Sequence, residues 1–297
     1  MTELDKRRIR LAAGTLALVE EGDAEDPAIV FLHGYPTSSY LWREFVPLFA
    51  PWFHVIAPDL LGSGDSDKPV SASLDIRAQA GYVLELLAEL GIGSFAVVGH
   101  GAGGGIAQLL ALQADARAIV LIDSIAFETW PTPLMREVQR SEHPAELTEE
   151  FLPRWLRSGM GHAERLTAGT VREYLRPFQG EEGAAALLRL VRALDGAGLA
   201  GLEAELGALE IPVLMLWGED DRYLPAEVAE RLHDVIPTSS LAVLPGCSHF
   251  LPEDAPETIA PLMFEYLRSK YLGRPHTHET RPVVVQLERK PREGGNA

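Results

Sequence analysis

Apolar residues in this chain gather into short unbroken runs, and the stretches between them carry apolar positions at helical spacing. The runs are Ala28-Ile29-Val30-Phe31-Leu32, Phe53-His54-Val55-Ile56-Ala57, Phe95-Ala96-Val97-Val98, Ala118-Ile119-Val120-Leu121-Ile122, Pro212-Val213-Leu214-Met215-Leu216-Trp217 and residues 241–244. Unbroken apolarity marks a strand covered on both faces, as in a parallel sheet. Residues 8–20 read instead as two short strands around Gly14, with Leu16 and Val19 inward. Helices are predicted through Trp42, Phe45 and Leu48 after a cap at Thr37, Ser38 or Ser39, over 75–90 with Gly91 closing it, over 226–235 and over 256–271.

From 127 to 210 the alternation stops. No strand-like run occurs there, only helical patches at 149–156 and 184–194, followed by Gly196, Gly198, Gly201 and Gly207. Strand–helix units on both sides of an all-helical block describe an α/β fold, a doubly wound, mostly parallel sheet with a helical lid inserted between core strands. The expected division is a core in two parts, 1–126 and 211–272, a cap at 127–210 and a C-terminal extension at 273–297. In that extension Pro282-Val283-Val284-Val285-Gln286-Leu287 can pair with a sheet edge, and 291–297 reads as disordered.

The tightest connection in the chain is FAVVGHGAGGGIAQLLALQ, residues 95–113. Its strand stops at Gly99, and a helix with Ile106, Leu109, Leu110 and Leu112 at helical spacing follows almost at once. So short a passage demands a very sharp bend, and Gly99 and Gly103 bracket it.

Composition narrows the partners. A net charge of −17 over 297 residues, with a pI near 4.9, argues against nucleic acid and anionic membrane. The tail runs the other way, with five Lys/Arg against three Asp/Glu from residue 273 onward. One cysteine, Cys247, excludes an intramolecular disulfide and fits a reducing compartment, so a cytoplasmic location is expected. The N-terminus lacks the apolar core of a signal peptide, and no apolar run is long enough to span a bilayer. His276 and His278 flank Thr277 at a spacing that suits a metal, but with no further ligand nearby they read as solvated side chains. No metal or cofactor is expected.

The bend at 99–103 resembles the nucleophile elbow of the α/β-hydrolase family, small-x-nucleophile-x-small. Gly99 and Gly103 fall on its outer positions, His100 and Ala102 on its variable ones, and Gly101 on the nucleophile. His33-Gly34-Tyr35-Pro36-Thr37-Ser38-Ser39-Tyr40-Leu41-Trp42-Arg43 and Asp59-Leu60-Leu61-Gly62-Ser63-Gly64-Asp65-Ser66-Asp67-Lys68-Pro69 are most similar to the haloalkane dehalogenase and epoxide hydrolase branch. Pro245-Gly246-Cys247-Ser248-His249-Phe250-Leu251-Pro252-Glu253-Asp254 resembles that branch's catalytic-histidine segment.

Carried over by position, the resemblance makes His249 the general base. It makes Asp221, third after Gly218, the acid that orients it, with Asp123 after the strand ending at Ile122 as the alternative and Asp220 as a neighbour. The oxyanion hole falls to the backbone N–H groups of Tyr35 and Ala102. His33, Tyr174 and Trp130 are the candidates for touching substrate. For His33 the alternative is holding loops together, as for Asp59; for Tyr174, a possible acid toward an epoxide, it is helix packing. His100 reads as a packing residue.

Two departures matter. Glycine has no atom to attack with, and Ser63, Ser66 and Ser124 lie on other loops, unmarked as replacements. Dehalogenases of this branch use a tryptophan after the nucleophile and an asparagine in the first motif, where this chain has Ala102 and Tyr35, which argues against dehalogenation. The implied function is a hydrolase of a small, fairly apolar ester or epoxide with non-covalent or residual chemistry. The alternatives are a catalytically silent small-molecule binder and an active enzyme whose nucleophile has been substituted.

Overall fold

Every unbroken apolar run folds into a strand of one sheet. The computed structural model describes residues 5–273 and 285–286. Its strands are β1 (Arg7–Arg10), β2 (Thr15–Glu21), β3 (Ala28–Leu32), β4 (His54–Pro58), β5 (Ser94–His100), β6 (Asp115–Ile122), β7 (Val213–Gly218), β8 (Ser239–Leu244) and β9 (Val285–Gln286). They lie in the order β1-β2-β4-β3-β5-β6-β7-β8-β9. β3 through β8 run parallel, while β1 and β2 at one edge and β9 at the other are antiparallel. β3, β4 and β7 are buried at every residue, as double coverage by helices requires.

Register sets where chemistry can gather. Leu32 pairs with Gly99, His100 with Ile122, and Ile122 with Leu216, so β3, β5 and β6 end close together while β7 runs on to Gly218. The residues just after them, His33, Gly101, Asp123 and the 219–221 loop, therefore share the carboxyl edge of the sheet, where α/β folds place their sites.

The helix Ile76–Glu89 starts where Asp75 accepts from the Ala78 N–H at 2.8 Å, and Gly91, at φ +71, follows its end. The single helix expected through Trp42, Phe45 and Leu48 is corrected. The segment is a 3₁₀ turn, Ser39–Trp42, with Ser38 as its cap, and then a short helix, Val46–Phe49. Pro47 explains the break, because proline has no N–H to give and fits only the first turn of a helix. Leu48 consequently faces solvent.

Between β6 and β7 the described residues contain no strand. Helices there include Pro133–Gln139, Leu152–Ser158, Ala168–Leu175 and Gly180–Ala193. Gly180–Ala193 buries Ala184, Ala186, Leu187, Leu188, Leu190 and Val191, the apolar stripe that marked the 184–194 patch. At the other margin β9 pairs Val285 with Val243 and Gln286 with Ala242, within the stretch expected to find an edge. The expectations for His276, His278 and 291–297 lie outside the described residues. Among the described residues no helix is long and apolar enough to cross a membrane.

Candidate active site

β5 ends at His100, Gly101 turns the chain at φ 54 and ψ −118, and the helix Ala102–Gln113 begins. A Cβ on Gly99 would stand 2.3 Å from the Gly103 carbonyl oxygen, and one on Gly103 would stand 2.2 Å from that of Leu32. Backbone meets backbone at both places, so neither tolerates a side chain. Gly101 differs. A Cβ there would make ordinary contacts, 3.6 Å to Gly34 Cα, 3.6 Å to His249 Nε2 and 3.8 Å to His249 Cε1. Position 101 thus points at the His249 ring with room for a Cβ, and its positive φ is what disfavours one.

His249 lies on the loop after β8, with Nδ1 2.9 Å from Asp221 Oδ2. Asp221 Oδ1 accepts from the N–H groups of Tyr223 at 2.8 Å and Leu224 at 2.9 Å. A carboxylate only accepts, so the imidazole proton sits on Nδ1 and Nε2 turns a lone pair toward residue 101. The ring is thereby fixed from behind.

The structure pairs this imidazole with Asp221 and not with Asp123. Asp123, at φ 43, accepts from Gly218 N–H at 2.8 Å and Leu251 N–H at 3.3 Å, tying two loops together. Complete burial, and then the nearby Asp221 charge, push its pKa well above the ordinary carboxylate value. Asp220 is exposed. His100 donates from Nε2 to the His249 carbonyl at 2.8 Å. Burial, and then neighbouring His249, hold its pKa at about 3, so it stays neutral.

No hydrogen bond among the described residues engages the backbone N–H of Tyr35 or Ala102. The Tyr35–Pro36 peptide is cis, in the turn that carries Gly34 to within 3.6 Å of the Cβ position at 101. No hydrogen bond among the described residues joins Ser63, Ser66 or Ser124 to His249. The Ser66 hydroxyl donates to the Asp59 carbonyl and that of Ser124 to the Ile125 carbonyl.

The three substrate-contact candidates all have partners within the protein. Both His33 nitrogens are taken: Nε2 accepts from the Leu60 N–H at 2.9 Å and Nδ1 donates to the Gly34 carbonyl at 2.9 Å. His33 therefore pins loops and has no nitrogen left for a ligand. The Tyr174 hydroxyl donates to Glu253, whose carboxylate also takes both guanidinium arms of Arg43, at 2.6 and 2.7 Å. Burial and the Glu253 charge push the Tyr174 pKa far up, so it is a fastener and not a poised acid. Trp130 packs edge-on to Trp155 at 6.5 Å, two rings away from the imidazole.

The rings between them escape sequence reasoning. Trp155 stacks on Tyr223 at 3.7 Å and 5°, and Tyr223 meets His249 edge-on at 5.2 Å. The Tyr223 hydroxyl donates to the Trp155 carbonyl at 2.6 Å and lies 2.7 Å from the Ser158 hydroxyl. Its nearness to Asp221 in sequence was the available signal; its partner 68 residues away was not. Among the described residues no group of three or more His, Cys, Asp or Glu side chains could hold a metal. A groove of about 760 Å³ lies at the opposite, amino edge of the sheet, between Ala28, His54, Ser94 and Arg117, away from all of these groups.

Comparison with known proteins agrees with the fold and narrows the kinship. The model of the family described as "Alpha/beta hydrolase family" matches residues 29–262. "Uncharacterized hydrolase YugF" of Bacillus subtilis is 29% identical over 259 residues, covering 81% of this chain and 89% of that relative. "Haloalkane dehalogenase 2" of Mycobacterium tuberculosis is 30% identical over 268 residues, covering 85% and 91%. The crystal structure of haloalkane dehalogenase DbeA from Bradyrhizobium elkani superposes with a TM-score of 0.81 at 27% identity, over 91% of this chain and 99% of that one.

Proposed function

The chain belongs to the alpha/beta hydrolase family, close to haloalkane dehalogenases, and on that premise we propose a hydrolase of a small, fairly apolar ester or epoxide that forms no covalent bond to its substrate. His249 takes a proton through Nε2 from a water placed over Gly101. Asp221 holds the ring and stabilises the imidazolium that forms, and the N–H groups of Tyr35 and Ala102 receive the developing oxyanion. The helical block 127–210 covers the reaction. One observation supports the reading above the others: Nε2 lies 3.6 Å from where a Cβ would stand at position 101, so the base faces the place from which an attacking side chain would otherwise rise. The remaining groups sustain roughly 10³–10⁴-fold acceleration over water in hydrolases stripped of their nucleophile. A reducing, cytoplasmic setting fits the single cysteine.

Dehalogenation is the activity in the relatives' names, but Ala102 and Tyr35 stand where that branch carries its halide-holding tryptophan and asparagine. We therefore read this chain away from it. A second reading, a silent binder beneath the lid, is favoured by Gly101 at φ +54, where glycine relieves the strain an attacking residue would store. Aryl esters and epoxides assayed with the natural protein and with His249→Ala separate the two. Turnover that vanishes in the variant supports the hydrolase; ligand binding without turnover in either supports the binder. An enzyme merely substituted at this residue would regain its rate in Gly101→Asp or Gly101→Ser.

A further inference from the structure

The hydrogen bond from Nδ1 to Asp221 fixes one atom of the His249 ring and leaves the tilt of the ring to its neighbours. Tilt decides where Nε2 points, and a misdirected base loses rate steeply. Three rings bound the imidazole: His100 at 5.0 Å, Phe250 at 5.2 Å and 72°, and Tyr223 at 5.2 Å and 70°. The last two have the edge-to-face geometry that aromatic pairs favour. His100 belongs to β5 and Phe250 to the base's own loop. Tyr223 differs, because residues of the helical block place its ring. Trp155 covers one face at 3.7 Å, and the Tyr223 hydroxyl is bonded to the Trp155 carbonyl at 2.6 Å and to the Ser158 hydroxyl at 2.7 Å. Just past that helix, a Cβ on Gly159 would stand 2.7 Å from Tyr223 Cε2 and 2.6 Å from Phe250 Cε2. The backbone of the block therefore presses on both rings, with no room there for a side chain.

We propose that Tyr223 is a positioning residue that passes the seating of the helix Leu152–Ser158 on to the base. Its ring holds the imidazole at the tilt that aims Nε2 at position 101, and its stacked face and hydroxyl lock that ring to the helical block. The proposal rests on the reading of His249 as the base and adds what keeps it aimed. Tyr223 acts through His249 alone and meets no reacting atom. Its backbone N–H donates to Asp221 Oδ1 at 2.8 Å, a bond that any replacement side chain keeps, so the part played by the ring separates from that of the acid. Base and block are thereby coupled: what unseats the helix also turns the imidazole.

The test reads the ring itself, by long-range ¹H–¹⁵N correlation spectra of histidine-labelled protein, with His249 assigned by its absence in His249→Ala. The natural protein should give the pattern of one tautomer, its proton on Nδ1. Tyr223→Leu keeps the N–H to Asp221 and drops the ring. It should show averaged nitrogen shifts, the mark of a ring no longer held on Asp221, and its kcat for an aryl ester should fall about tenfold with KM within about twofold. Tyr223→Phe keeps the stack and cuts both hydroxyl bonds, and should lie between the two. A folded Tyr223→Leu with the natural protein's nitrogen shifts overturns the proposal. Should that variant not fold, Tyr223→Phe decides, and shifts equal to the natural protein's overturn it. If no ester is turned over yet the shifts follow residue 223, the positioning stands and the hydrolase reading falls. If turnover needs His249 while the shifts ignore residue 223, the hydrolase reading stands and the positioning falls.

Discussion

Asp221 and Asp123 both follow strands that end beside the imidazole, yet only one touches it. Asp221→Asn removes the charge that fixes the Nδ1 proton and balances the imidazolium, so hydrolysis should fall by roughly 10²-fold or more. Asp123→Asn keeps an oxygen for the Gly218 N–H and should retain turnover; steady-state rates for the two variants check this. His100 makes a second residue-scale prediction. The unfolded chain takes up a proton as pH drops below 6.5, while the folded one does not until about 3. Its contribution to stability is therefore complete above pH 6.5 and is lost on acidification. The loss from this group is about 2 kcal/mol between pH 6.5 and 5. His33, also lowered by burial, acts in the same direction. Urea unfolding at pH 7 and pH 5 should show the decline, with a shallower one in His100→Gln. Sequence exposed His249 and Asp221 because each sits in a local motif. It could not name the partner of Tyr174, Glu253, which lies 79 residues away, or that of His33, the Leu60 N–H 27 residues on. Such partners are set by packing, which no local pattern encodes.

At the scale of elements, the elbow is the joint on which the sheet edge depends. Gly99→Ala and Gly103→Ala drive a methyl group into backbone carbonyls at 2.3 and 2.2 Å, and each should destabilise the fold by more than Gly101→Ala, whose methyl group meets nothing closer than 3.6 Å. For Gly101→Ala the cost reduces to holding a non-glycine residue at φ +54, about 1–3 kcal/mol. Urea midpoints of the three variants give the order. Strands were legible because β3, β4 and β7 are wholly buried and so read as unbroken apolar runs. The segment after Ser38 misled because Trp42 and Phe45 keep helical spacing across a break that Pro47 imposes.

Across the whole molecule, the helical block and the His249 loop are fastened to one another. The Phe250 N–H donates to the Gly159 carbonyl at 3.0 Å, and Tyr174 reaches Glu253. The Asp254 carboxylate accepts from Gly161, His162 and Ser248 N–H groups at 2.8 to 2.9 Å. The helical block and the His249 loop are positioned by the same bonds. In Asp254→Asn one oxygen becomes a donor facing donors, so roughly 1–3 kcal/mol should be lost, with slower turnover and faster proteolysis within 127–210. Arg176→Ala, which removes the half-exposed bridge to Asp65 at the other margin, should cost only about 0–1 kcal/mol. Apart from the Ser248 bond, these fastenings join residues far apart in sequence, which is why a helical block was legible and its attachment was not. The arrangement of base and elbow is tested most directly by giving position 101 a hydroxyl. Gly101→Ser treated with an aryl phosphonate should gain the mass of one phosphonyl group at residue 101, and should fail to do so when His249→Ala is added. A folded Gly101→Ser protein that stays unmodified, or one labelled equally without the imidazole, would contradict the claim that His249 faces the elbow.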